Sequence, residues 1–195
     1  MSLLDMLTQQ IGGAAAQQMA RQLGADQGAT SKAIAGALPA LVGALARNAA
    51  SSNGAESLSR ALTNDHDGSV LGDIGGFLNQ AEQGPGEGIL GHILGSRRDT
   101  VQAGSSGASG LDVGTITKLL PMLAPLVMGA LGQQQRKQGL DAGGLASMLN
   151  QEHERFESST PGLVGNLLDA DGDGSVTDDL ARMGTSLLGK LLSGR

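Results

Sequence analysis

An acidic, glycine-containing segment late in the chain has the residue types and spacing of a calcium loop. Such loops place oxygen ligands at positions 1, 3 and 5, a turn glycine at 6, a backbone carbonyl at 7 and a bidentate carboxylate at 12. In the segment that starts at Asp169, Gly174 takes the glycine position, but position 12 is Leu180. The predicted metal ligands are Asp169, Asp171, Asp173, Ser175 and Asp179, with Asp179 one place early.

The same residues also fit a polar turn that caps a helix. Asp173 or Ser175 can serve as an N-cap, and acidic side chains are favoured in a first helical turn. A related segment, with Thr63, Asp65 and Asp67 at positions 1, 3 and 5, is a poorer ion site. Both segments share the pattern Asp-Gly-Ser-Val-x-x-Asp. This shared pattern favours a structural turn common to two halves of the protein, which is the alternative to calcium binding.

The chain matches itself at a fixed spacing, which indicates an internal duplication. At an offset of 86 positions Asp26 meets Asp112, Pro39 meets Pro125 and the triplet 43–45 meets 129–131, while Leu3, Leu4 and Leu7 meet Ile89, Leu90 and Ile93. The acidic segments match at 106 positions, so the second copy contains about 20 additional residues, placed between Leu140 and Pro161. We predict two helical repeat units, 1–83 and 84–195, whose equivalent apolar faces pack together.

Apolar residues recur at helical spacing along most of the chain, and strand signals are weak, so the predicted fold is all-α. The segments 83–88 and 103–110 concentrate Gly, Pro and Ser and are predicted linkers. Gly36, Gly43, Gly91 and Gly129 interrupt apolar helical patterns. Glycine inside a helix costs about 1 kcal/mol relative to Ala. These positions mark either closely approaching helices or helices that end at each glycine.

The composition disfavours several function classes. The 195 residues include no Cys and 3 widely separated His, which argues against thiolate chemistry and a His-rich metal centre. The net charge of −6 and the dispersed basic residues disfavour nucleic-acid binding. The longest uncharged apolar stretch, 119–131, is shorter than the ~20 residues of a membrane span. With no secretory signal, we expect a cytoplasmic protein without a transmembrane segment.

Two further functional interpretations have less support from the residues. Residues 17–45 have a helix-turn-helix character, but the second helix presents only Ser31 and Lys32 to a base edge. Serines near His153 lack a nucleophile-elbow pattern, and Glu152 and Glu154 are placed in a solvated polar run. We therefore expect no catalytic residues, no small-molecule substrate and no cofactor other than calcium.

Three motifs together resemble a known bacterial family: the apolar run 119–131, the preceding segment 89–95 and the acidic segment 171–175. On these residues the chain resembles the YidB-like proteins, a domain of unknown function, over about residues 3–192. The resemblance implies a soluble, all-helical bacterial protein with a homeodomain-like helix arrangement. It brings no catalytic residue.

The leading functional prediction is a non-enzymatic structural or interaction protein that associates with itself or with a protein partner. A calcium-binding module is the first alternative and a DNA-binding protein is the second. The predicted contact surface is a late apolar stripe of Leu180, Met183, Leu187, Leu188, Leu191 and Leu192.

Overall fold

The computed structural model describes residues 2–81 and 84–159, and within them it is helical without a strand. This confirms the all-α prediction for the described part of the chain. The helices are α1 (Leu3–Ile11), α2 (Ala14–Leu23), α3 (Gln27–Asn48), α4 (Ser52–Asn64), α5 (Ile74–Asn79), α6 (Gly86–Leu94), α7 (Arg98–Ser109), α8 (Val113–Gln138) and α9 (Ala142–Ser159). Two short 3₁₀ turns cover Ser69–Leu71 and Gly95–Arg97.

The chain forms two compact units, Met1–His153 and Glu154–Arg195. The first unit holds one continuous hydrophobic core, to which residues from both predicted repeats contribute. The described part of the second unit is 154–159, the last turns of α9, where the hydroxyl of Ser158 donates to the Glu154 carbonyl oxygen. The division into repeat units 1–83 and 84–195 stays a prediction.

The two longest helices that lie wholly within the first unit, α3 and α8, form the centre of its core. α8 is buried almost continuously from Leu119 to Gly132, and α3 from Leu41 to Ala46. Both are long and apolar enough to cross a membrane by length and composition, with 61% and 72% of their most apolar windows buried. The core helices of water-soluble proteins pass the same test, and here the apolar windows are buried against other helices of the unit.

The burial patterns of α3 and α8 coincide at the predicted offset of 86 positions. Each buried residue of α3, from Thr30 to Ala46, has a buried residue 86 positions later in α8. The helices also begin alike: the Oδ1 atoms of Asp26 and Asp112 accept from the amides three residues ahead at 2.8 and 3.0 Å. These side chains satisfy amide donors that have no partner inside the helix.

The approach to each core helix is also similar. α2 ends at Gly24 and α7 at Gly110, and both glycines adopt the left-handed conformation, with φ of 62° and 80°. α1 and α6 are both nine residues long, but their buried positions match at an offset of 83: Leu3, Leu7 and Ile11 against Gly86, Leu90 and Leu94. The predicted matches of Leu3 and Leu4 with Ile89 and Leu90 therefore pair a buried position with a partly exposed one.

Helices from one predicted repeat pack on the core helix of the other. α4 lies against α8, and α7 lies against α3. The imidazole of His153, on α9, covers Gly43 of α3, where a Cβ atom would lie 3.1 Å from Nδ1. Because the core has few large side chains, these approaches depend on small residues at the contact points.

The helical glycines divide between the two predicted alternatives. At Gly129 and Gly132 of α8 a Cβ atom would collide with Val70 and with the His66 carbonyl oxygen, so both glycines admit a close neighbour. Gly36 and Gly91 face open space and are not required for packing. Gly95, with φ of 52°, ends α6.

The prolines remain inside continuous helices, and one of them creates a contact. Pro125 has no amide hydrogen, so the carbonyl of Pro121 lacks its helical partner. The first residue of α6, Gly86, packs directly on that carbonyl, where a side chain would overlap it. Pro125 is buried, whereas the equivalent Pro39 of α3 is half-buried.

The predicted linker at 103–110 is wrong, because these residues belong to α7. Gln102, Ser105 and Ser109 are buried along one face of that helix. The hydroxyl of Ser109 donates to the Ser105 carbonyl oxygen at 2.6 Å, which satisfies a polar group without solvent. Small side chains there serve helix packing against α3 rather than flexibility. The other predicted linker, 83–88, includes the gap between α5 and α6, although α6 already begins at Gly86.

Substitution of Gly132 by Ala should destabilise the protein, because its methyl group would overlap the His66 carbonyl and force the loop away from α8. We expect the free energy of unfolding to fall by about 1–3 kcal/mol. The matched control is Gly36→Ala, an exposed helical glycine with open space beside it, which should gain about 0.5–1 kcal/mol. Urea denaturation followed by circular dichroism measures both; equal effects of the two substitutions would contradict the close-packing role.

Candidate functional site

The first acidic segment forms a tight turn between α4 and α5. Gly68 adopts φ of 84°, and the amide of Ser69 donates to Asp67 Oδ1 at 2.9 Å. Asp73 then caps α5 by accepting from the amide of Gly76 at 2.8 Å. The carboxylates of Asp67 and Asp73 therefore organise the backbone of the loop and the start of a helix.

This turn docks on the core helix of the other predicted repeat. Val70 packs over Gly129, and the backbone around His66 lies against Gly132. Arg136, one turn further along α8, lies near Gly68, where a Cβ atom would be 3.6 Å from its guanidinium. The segment thus holds the end of α4 on α8.

Two of the side chains predicted as weak calcium ligands in this segment, Thr63 and Asp67, have structural partners. Thr63 donates its hydroxyl to the Ser59 carbonyl oxygen at 2.9 Å, as helical threonines commonly do. Hydrogen bonds from the hydroxyl and amide of Ser69 lower the pKa of Asp67, with a smaller contribution from the charge of Arg136. Among residues 2–81 and 84–159, no three His, Asp or Glu residues come together as a metal site. Asp169, Asp171, Asp173, Ser175 and Asp179, the main predicted ligands, lie outside the described residues.

His66, in the same turn, is a second titratable group with a shifted pKa. Partial burial lowers its pKa from the ordinary value of 6.5, and the neighbouring charge of Asp65 opposes that effect in part. The folded protein therefore favours the neutral imidazole. We therefore expect the turn to stabilise the fold more at neutral or alkaline pH than at acidic pH.

Glu152 has a role that the sequence did not indicate. It was predicted in a solvated run, but it is 5% exposed, and its Oε2 accepts from the amides of Leu3 and Leu4 at 3.0 and 3.4 Å. The carboxylate of α9 thereby satisfies the first amides of α1 and opposes the positive end of that helix. The helical spacing could have indicated the burial of this side chain, because Glu152 lies seven residues after the buried Leu145 and three after Leu149. Glu154 is exposed, as predicted.

The possible recognition helix of a helix-turn-helix is α3. Its exposed face near the start carries Ser31 and Lys32, with Gly28 before them and Ala35 and Gly36 after them. The rest of its length is occupied by the core. This face offers little hydrogen-bonding capacity to a base edge.

Substitution of Glu152 by Ala should lower the free energy of unfolding by about 1–2 kcal/mol, because it leaves amides of α1 without an acceptor. Glu154→Ala, two residues away on the exposed side of α9, should change stability by less than about 0.5 kcal/mol. Chemical denaturation of the two variants and the parent makes the comparison. A stability of Glu152→Ala equal to that of the parent would rule out the capping role.

Acidification should destabilise the protein through His66. Because its folded pKa lies below the unfolded value, protonation favours the unfolded state: stability is retained above pH 6.5 and is lost as the pH falls through the folded pKa. We expect His66→Gln to reduce the loss of stability between pH 7 and pH 5. His92→Gln, at an exposed histidine, should retain the parent's slope. Thermal melts across this pH range provide the test, and parallel slopes for the parent and His66→Gln would refute it.

One comparison with known proteins gives a match that covers most of the helices described above. The chain has no significant match among curated proteins or among solved structures. A family model described as a bacterial protein of unknown function, DUF937, matches residues 5–134, which include α2 to α7 and most of α1 and α8. The resemblance to YidB-like proteins is consistent with this match. The chain therefore belongs to the DUF937 family of bacterial proteins of unknown function.

Proposed function

We propose that this protein is a non-enzymatic helical scaffold of bacteria that acts by binding protein, most directly a second copy of itself. The observation that carries the proposal is the use of two buried polar side chains, Glu152 and Gln135, which tie helices together. Besides Glu152, Gln135 of α8 donates from Nε2 to Ser59 Oγ of α4 at 2.7 Å.

The coincident burial of α3 and α8 supports a duplicated scaffold. Equal caps, equal left-handed glycines and equal buried positions are what a copied unit would retain, since each copy must bury its apolar face against the other. We infer that repeats 1–83 and 84–195 arose from one unit, and that the additional residues of the second copy lie beyond α8. This duplication accounts for the shared acidic turn as well. The homeodomain-like arrangement implied by the resemblance has no specific support in the helix contacts.

The contact surface for self-association is assigned to the late apolar stripe. Within the described part of the chain, Val113 is the exposed large hydrophobic residue, at 49%. That body therefore leaves little apolar surface for a partner. The stripe of leucines between Leu180 and Leu192 has the spacing of an amphipathic helix face, and it lies outside the described residues.

Calcium binding by the segment 169–179 stays an alternative prediction. The first copy of the motif supports the competing interpretation, because there the Asp-Gly-Ser-Val residues make a turn that docks on a core helix. The late copy has a fuller set of oxygen ligands than the early one, which is what favours calcium there. The DNA-binding alternative has less support, since the exposed start of α3 is small and weakly basic.

Self-association should be visible as a concentration-dependent mass in sedimentation or light scattering of the full chain. Leu187→Lys places a charge in the apolar stripe and should shift the protein toward monomer by at least about tenfold in dissociation constant, equivalent to roughly 1.4 kcal/mol. Thr185→Lys adds the same charge at a polar position of the same segment and should leave the mass unchanged. A parent protein that is monomeric over the whole concentration range would overturn the proposal.

A further inference from the structure

A polar cleft lies where the last turn of α3 meets the end of α6 and the 3₁₀ turn Gly95–Arg97. Its volume is about 350 Å³, within the size range of small-ligand sites. Ala44, Ile93 and Leu94 are buried and supply apolar lining, and the other lining residues are Asn48, His92, Gly95, Ser96 and Arg97. Asn48, His92, Ser96 and Arg97 are exposed, so the cleft is open to solvent and most of its lining is polar.

The cleft is held in shape from two sides. The Asn48 amide nitrogen donates to the carbonyl oxygens of His92 and Ile93 at 3.0 and 3.1 Å, which fixes the end of α6 on α3. On the other side, the guanidinium of Arg98 pairs with the Glu87 carboxylate at 2.7 Å. The first contact joins α6 to α3 and the second joins α7 to α6, so the helices on either side of the 3₁₀ turn are held together.

Arg97 and Arg98 are neighbours with different surroundings. Arg98 is neutralised by Glu87, whereas Arg97 lines the cleft with no acidic side chain facing it in the part of the chain that the structure describes. A guanidinium presents several donors in a planar fork and favours carboxylate and phosphate oxygens. The hydroxyl of Ser96 and the imidazole of His92 add further polar groups to the same lining.

The two predicted repeats differ at this point. In the first copy, α1 and α2 are joined by Gly12 and Gly13, and Gly13 has φ and ψ of 59° and −116°. In the second, Gly95 has a similar conformation, 52° and −127°, but Ser96 and Arg97 follow before α7 begins. Ser96 and Arg97 therefore have no counterpart between α1 and α2, and Arg97 brings a positive charge to the cleft.

We propose that this cleft binds a small ligand that carries a phosphate or carboxylate group, held by Arg97. The volume limits the ligand to a small molecule, and the cation selects its charge. The proposal uses none of the residues of the late apolar stripe, so it does not rest on self-association.

The test is a titration of the full chain, labelled with ¹⁵N, with inorganic phosphate and separately with succinate, at constant ionic strength set with chloride. We expect saturable shifts of the amides of Asn48, His92, Ser96 and Arg97, with the stronger anion identifying the preferred group. Arg97→Gln should weaken binding at least tenfold. Ser96→Asp, which brings a negative charge to the cleft, should weaken it as well.

Arg21→Gln is the matched control, because Arg21 is an exposed arginine in the last turn of α2, away from the cleft. It should leave the affinity unchanged, and the spectra of all variants report whether the fold is retained. Shifts that do not saturate, or an equal loss of affinity in Arg21→Gln, would overturn the proposal. Wild-type affinity in a folded Arg97→Gln would overturn it equally.

Discussion

The mutual burial of α3 and α8 is the constraint on which the rest of the first unit depends. With two Phe and no Tyr or Trp in the chain, the core must be built from Leu, Ala, Val, Ile and Met. Such side chains are short, so native packing density requires the helix axes and loops to come close. The glycines at Gly43, Gly129 and Gly132 meet that requirement, and each of them receives a residue from a distant part of the chain.

Close packing of this kind gives several polar side chains a structural role. Every helix start or loop brought into the core carries amides and carbonyls that must be satisfied away from water. Glu152 does this for the first amides of α1 with its carboxylate, and Gln135 does it for the Leu140 carbonyl with its side-chain amide. Asp67 and Asp73 satisfy backbone amides of turns that are exposed to solvent.

The differences between the two predicted repeats are as informative as their likeness. Positions that coincide, such as the caps Asp26 and Asp112, are those that any such unit needs in order to start and bury its core helix. Positions that diverge include the turn after α6, with Ser96 and Arg97, and the region after α8. The two predicted repeats can differ where the core imposes no constraint on the sequence. At such positions a residue with a specific role can be introduced without loss of the fold.

The sequence by itself determined the helical class of the described residues and the family, because those depend on local spacing and on residue type. It also indicated the equivalence of α3 and α8 through a fixed offset. Only the tertiary structure decided the burial of Glu152, the helical state of 103–110 and which glycines are essential. Each of these features depends on residues that are distant in the sequence. The Glu152 carboxylate needs the start of α1 beside it, the small residues of α7 need a neighbouring helix, and a glycine is essential only where another backbone approaches it. The local sequence pattern does not show which distant residues will be in contact. The cleft between Asn48 and Arg97 therefore forms only when α3 and α6 pack together.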